Sequence, residues 1–223
     1  MESSKAAEQH YQEVEWNISR QLDTLHTILK DCNEEIEGNC FSHGVAPGNP
    51  LITSWWMYYK RINLTNIIKT RAPQKIAEIG MNAGHSALLL LQGLSPTAEM
   101  RVFDLNNHKY TETAFKYLCT QYPQLKEMIV GDSTKTLPEY IKERPHEKGT
   151  YDLIHVDGGH QKEIVYSDVF YTDILLKSGG VMILDDTNID YIQDLIERLL
   201  KKGYTFLHQL PTFGYMHCFL VKP

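Results

Sequence analysis

A short apolar run, Ile76-Ala77-Glu78-Ile79, leads into Gly80-Met81-Asn82-Ala83-Gly84, and Ser86, Ala87 and an unbroken Leu88-Leu89-Leu90-Leu91 follow. A strand-length apolar segment, a glycine-punctuated turn and a helix-length apolar segment read as one buried βα unit. In that layout the free backbone amides of a helix N-terminus face whatever nucleotide-like ligand the turn admits. The spacing is not the G-x-G-x-x-G of dinucleotide sites, because Asn82 stands where the second glycine would fall. A nicotinamide dehydrogenase fails on that ground. The same punctuation occurs in βα turns of many α/β proteins, so the rest of the chain has to decide.

From Gln74 onward the pattern alternates. Lys75–Gly80, Glu99–Leu105, Lys126–Gly131, Tyr151–Asp157 and Gly180–Asp185 read as strands. His85–Leu94, Thr111–Gln121, Leu137–Glu143, Gln161–Leu176 and Ile189–Lys202 read as the helices between and after them. Strict alternation predicts a parallel sheet covered on both faces. Tyr204–Leu210 and Tyr215–Val221, with only a short loop between them, predict an antiparallel hairpin at the sheet edge.

Ahead of this domain, residues 1–72 read as a helical extension or cap to the domain at 73–223. Val14, Ile18, Leu22, Leu25, Ile28 and Leu29 recur at helical spacing, an apolar face to pack on the domain or on a second subunit, a route to a homo-oligomer. Residues 38–50 hold three glycines and two prolines and read as a loop. Leu51–Thr70 reads as a second helix carrying Trp55, Trp56, Met57, Tyr58 and Tyr59.

Net charge is −6, which argues against an extended phosphate-binding surface and so against a nucleic-acid substrate. Lys60, Arg61, Lys69 and Arg71 form a local basic cluster that reads as a solvated helix face. The four cysteines show no C-x-x-C spacing, so neither a zinc site nor a redox pair is indicated. The polar start and the lack of a long apolar run predict a soluble, cytoplasmic chain without a membrane partner.

Every predicted strand ends in an acid or a polar residue. They are Glu78, Asp104, Asp132-Ser133, Asp157 and Asp185-Asp186. Ligands of open α/β sheets lie beyond the carboxyl ends of the strands. Asp104, one βα unit after the glycine turn, is placed to accept hydrogen bonds from ribose hydroxyls, and Asp132 with Ser133 to bracket an adenine. A single strand-end Asp equally well caps the following helix. Asp157, Asp185 and Asp186 end strands expected to be neighbours, and three carboxylates so close require protons or a cation.

Together these segments resemble the class I S-adenosylmethionine-dependent methyltransferases, within the metal-dependent O-methyltransferase branch. Glu78-Ile79-Gly80-Met81-Asn82-Ala83-Gly84-His85-Ser86 is similar to the family's first motif, and Asp104 to its ribose-binding acid. Val130-Gly131-Asp132-Ser133, Asp152–His160, Leu176–Val181 and Asp185-Asp186 are similar to later ones. The resemblance implies a Rossmann-like doubly wound sheet and S-adenosylmethionine held by Glu78, Gly80, Met81, Asn82, Ala83, Gly84, Ser86, Asp104, Asp132, Ser133 and Asp157. It also implies Mg²⁺ or Mn²⁺ on Asp157, Asp185 and Asp186, with Asp157 at the reacting end.

The catechol-type lysine after Asp157 is absent here, Gly158-Gly159-His160 standing instead. His160 therefore becomes the candidate general base, since imidazole titrates near neutrality. His155 reads as a satisfied core residue, and His85 as either a cavity or a surface residue. Trp55, Trp56, Tyr59 and Tyr215 are candidate walls for the acceptor. The function expected is O-methylation of a small hydroxylated molecule, a sugar, polyketide or phenol. The rivals are a metal-independent methyltransferase acting on nitrogen, a peptide or RNA, and a non-catalytic cofactor-binding protein on the same fold.

Overall fold

A computed structural model describes residues 2–36, 40–41, 55–207 and 217–223. Seven strands, β1 (Lys75–Ile79), β2 (Glu99–Asp104), β3 (Leu125–Val130), β4 (Tyr151–Val156), β5 (Leu176–Asp185), β6 (Thr205–Phe206) and β7 (His217–Val221), form one sheet among the described residues. Their order is β3-β2-β1-β4-β5-β7-β6. β1 to β5 pair in parallel, while β7 pairs antiparallel with both β5 and β6. The closing hairpin thus stands at the edge, as expected. The chain runs outward from β1 to β3 and then returns to place β4 on the other side of β1. That reversal opens a crevice at the carboxyl ends of β1 and β4, where ligands of such sheets bind.

Helices α1 (Glu2–Asp31), α2 (Trp55–Arg71), α3 (His85–Gln92) and α4 (Lys109–Gln121) share one core with one sheet face. Helices α5 (Ser133–Glu143), α6 (Lys162–Leu175) and α7 (Asp190–Lys201) share a second core with the other. Helical periodicity explains both: α7 buries Ile192, Leu195, Ile196 and Leu199, and α1 buries Ala7, Tyr11, Val14, Ile18, Leu25 and Leu29. The apolar face of α1 is therefore covered within its own chain, on the same core as the sheet. α5 begins before the predicted Leu137, because the Asp132 side chain accepts the Thr134 N–H and caps it.

The basic cluster of α2 is a solvated face only at Lys69 and Arg71, which are exposed. Lys60 and Arg61 are buried. Arg61 lies over the rings of Tyr11, Phe41 and Tyr58 at 5.4, 5.2 and 5.6 Å and donates to the Tyr11 hydroxyl at 2.6 Å. Aromatic faces and a hydroxyl replace the water that the guanidinium gives up. No helix among the described residues is long and apolar enough to cross a membrane.

Candidate active site

The glycine turn is set by the chain's own packing. Gly80 has φ +88°, and a β-carbon there would lie 2.0 Å from the Asp157 carbonyl oxygen. Asp157 in turn donates its N–H to the Ile79 carbonyl at 2.9 Å, so β1 and β4 meet at this point. Gly84, at φ +78°, caps α3, and a β-carbon there would lie 2.8 Å from Leu118 Cδ1. Among the described residues no side chain caps α3, which leaves its first-turn amides for a ligand.

Asp104 orders the turn. Its Oδ2 accepts the Asn82 N–H at 2.8 Å and its Oδ1 the Asn106 N–H at 2.7 Å. Each oxygen keeps a second acceptor direction, and the residue lines the cavity. Asp132 does cap α5, accepting from both the amide and the hydroxyl of Thr134, bonds that hold its carboxyl below the usual range. It lines the cavity as well.

That cavity, about 840 Å³, extends along the carboxyl ends of the strands. Gly80, Met81, Asn82, Ala83, Ser86, Asp104, Asp132 and Ser133 line it beyond β1 to β3, and Asp157, His160, Asp185 and Asp186 beyond β4 and β5. Three predicted residues are not in its lining. Glu78 is buried and bonded to His155 Nδ1 at 2.9 Å, because strand alternation turns it into the α2-side core. Gly84 faces Leu118, and Tyr59 packs edge-on against Tyr58 with centroids 5.9 Å apart. The side chains of Trp55 and Trp56, and all of Tyr215, lie outside the described residues.

His155 is buried in β4 as expected, but only its Nδ1 is bonded, to Glu78; its Nε2 has no hydrogen-bond partner among the described residues. His85 is buried, lines the cavity and sits 2.9 Å from His26, Nε2 to Nε2, which ties α1 to the glycine turn. Burial pushes its pKa down to about 3, so it stays neutral and hydrogen-bonds with His26 as donor or acceptor.

The acidic end holds a residue that the sequence reading missed. Lys60 reaches from α2 between two strand ends, its Nζ 2.9 Å from Asp157 Oδ2 and in direct contact with Asp185 Oδ2. Burial opposes its charge, but the two carboxylates outweigh burial and raise its pKa well above the ordinary value. Burial would likewise raise Asp157, yet Lys60 and His155 hold it down to about 2. Burial and the Asp157 charge push Asp185 up to about 8. One ammonium and one firmly ionised carboxylate balance each other. A signal for Lys60 did exist: it falls on the stripe Met57, Leu64, Ile67 and Ile68 of α2, where a lysine is out of place unless it meets an acid.

Asp186 belongs to a separate pair. Its Oδ2 is 2.7 Å from His160 Nε2, and this bond raises the imidazole pKa. Asp186 itself has φ +54°, and its carbonyl accepts the Ile189 N–H at the start of α7. The N-cap of α7 is Ile189 and no side-chain cap bond is formed among the described residues, so Asp186 contributes a backbone turn and the pair with His160.

The expected trio of metal ligands is therefore split. His155, Asp157 and Asp185 do bring potential ligand atoms within 4.8 Å of one another. Lys60 Nζ already bridges those two carboxylates, and a divalent ion bound between them would face a buried ammonium at contact distance. As arranged, this set does not fit Mg²⁺ or Mn²⁺.

Residues 77–187 match the model of a family described as a methyltransferase domain. No curated protein matches the sequence. Among solved structures, cofactor-bound Rv0187 from MTB superposes with a TM-score of 0.62 at 16% identity, covering 90% of this chain and 88% of that one. A putative caffeoyl-CoA O-methyltransferase from Staphylococcus aureus gives 0.61 at 18% identity, covering 96% and 99%. The O-methyltransferase TomG from Streptomyces achromogenes, solved with S-adenosylmethionine, gives 0.54 at 21%, covering 72% and 78%. The matched segment, the doubly wound sheet and the glycine turn facing Asp104 agree: the chain carries a methyltransferase domain at residues 77–187.

Proposed function

We propose that the chain is an O-methyltransferase that carries the sulfonium methyl of S-adenosylmethionine to a hydroxyl of a small molecule such as a sugar, polyketide or phenol. The observation that carries this reading is the continuity of the cavity. A single space of about 840 Å³ joins the glycine turn and Asp104 to Lys60, Asp157, His160 and Asp186. Cavities of this size take a cofactor and a small acceptor together, whereas a rim this acidic repels a phosphate backbone. Two neighbours in fold, the O-methyltransferase TomG and the putative caffeoyl-CoA O-methyltransferase from S. aureus, agree with an oxygen acceptor.

In the reaction the acceptor oxygen forms a bond to the methyl carbon while the carbon–sulfur bond breaks. The bonding pair passes to sulfur, leaving a neutral thioether. His160 takes the hydroxyl proton, and Asp186 orients the imidazole and stabilises the imidazolium. The chain contributes mainly geometry, since the sulfonium methyl is already reactive and near-attack positioning supplies several kcal/mol.

The test is a panel of phenols, hydroxylated polyketides, sugars, amines, peptides and RNA, incubated with enzyme and cofactor. Mass spectrometry and NMR then locate the transferred methyl. Methyl on oxygen of a small molecule is expected. Transfer confined to nitrogen, peptide or RNA overturns the proposal.

A further inference from the structure

We propose that Lys60 takes the place of a divalent cation: it compensates Asp157 and Asp185 with a covalently tethered charge and presents its remaining N–H to the acceptor oxygen. The inference rests on the O-methyltransferase reading above. It assigns to this site a cation from α2 and makes the reaction independent of metal.

Three observations carry it. Lys60 is buried on α2, so its ammonium is held in place rather than waving in solvent. It bridges the ends of β4 and β5, the position between paired carboxylates where an oxygen-ligated ion would sit. An ammonium has three N–H donors. Among the described residues Asp157 and Asp185 receive two, and Lys60 lines the cavity that the acceptor must enter.

The surroundings favour a permanent arrangement. Asn63, one turn further along α2, bonds His217 Nε2 at 2.8 Å, and His217 is the register partner of Asp185 in the β5–β7 ladder. α2 is thus fastened to the same strand ends at two successive turns. Withdrawing Lys60 would take the ammonium partner from both Asp157 and the buried Asp185.

Manganese and a chelator test this on the full-length enzyme, with product-cofactor affinity measured in the same samples. Wild type should leave the Mn²⁺ paramagnetic resonance signal undiminished at millimolar ion, and its turnover should be the same after EDTA. Lys60→Ala, with the two carboxylates freed, should take up Mn²⁺ at least about tenfold more tightly than wild type. Its melting temperature should rise with Mn²⁺ while that of wild type does not. Lys60→Arg, which keeps the charge, should bind as little Mn²⁺ as wild type, with a raised acceptor KM.

Micromolar Mn²⁺ binding by wild type together with loss of turnover in EDTA overturns the inference. So does a folded Lys60→Ala variant that ignores Mn²⁺. If Lys60→Ala does not fold, the two wild-type measurements decide by themselves. Failure of every sample to bind product cofactor would instead overturn the functional reading beneath it.

Discussion

The two ends of the cavity are built differently. At the cofactor end the structure is made by backbone. Gly80, Asn82 and Gly84 hold left-handed conformations, and Asp104 binds amides from two turns, all within Gly80–Asn106. At the end beyond β4 and β5 it is made by side-chain charges brought from far apart. Lys60 meets Asp157 and Asp185 across 97 and 125 positions of sequence. A local backbone motif has to be written locally. Long-range charge compensation can be written anywhere that the fold converges, and this difference decides what each end tolerates.

The largest expected effect falls on the backbone-built end. Gly80→Ala would put a methyl 2.0 Å from the Asp157 carbonyl oxygen and force a positive φ on a residue with a β-carbon. The junction of β1 and β4 must move, so the variant should lose more than about 4 kcal/mol of stability together with detectable cofactor binding. Thermal melts and calorimetry check both. A variant that keeps the wild-type melting temperature and loses only the cofactor would mean that the glycine serves the ligand alone, and the contrast between the two ends would collapse.

The same contrast explains how far the sequence could be read. Strand-turn-helix order, the antiparallel edge and the placing of Asp104 were legible because each depends on residues near one another in the chain. The burial of Glu78 against His155 was not. Period-two alternation determines which face it occupies, but the partner comes from β4. The metal expectation started from a sound premise, since clustered carboxylates do need a compensating charge. The charge itself lay in an α2 segment read as solvated, and its burial depends on how α2 crosses the strand ends, which no local pattern records.

An intermediate effect tests the second acid pair. If His160 is the base, His160→Gln should lower turnover by roughly 10²–10⁴-fold with cofactor affinity unchanged. The bond from Asp186 raises the imidazole pKa, so in wild type activity should fall as pH drops through a value above the ordinary 6.5. Asp186→Asn tolerates the left-handed backbone at this position and removes the negative charge. The imidazole pKa then falls, and the acid limb of kcat/KM moves to lower pH with a reduced plateau. A limb that stays in place in Asp186→Asn separates His160 from the proton transfer.

The smallest effect concerns a buried acid. Asp168 on α6 is fully buried beside Gly158, and among the described residues neither carboxylate oxygen has a partner at full hydrogen-bond geometry. Burial pushes its pKa up to about 6, against a weaker opposing pull from the Ser133 hydroxyl. An unfolded Asp titrates near ~3.9. Between those values the unfolded chain releases its proton while the folded chain keeps it, so stability declines as pH rises and levels off above the folded pKa. The difference corresponds to about 3 kcal/mol at most. Asp168→Asn stays neutral at every pH and should remove that slope. The drop in melting temperature from pH 5 to pH 8 should then be about 5 °C smaller than in wild type. The comparison is internal to each protein, so any uniform cost of the amide cancels. Equal drops would show that Asp168 has found a partner for its charge, as Asp157 has in Lys60, and that buried acids on both faces of the sheet obey the same rule.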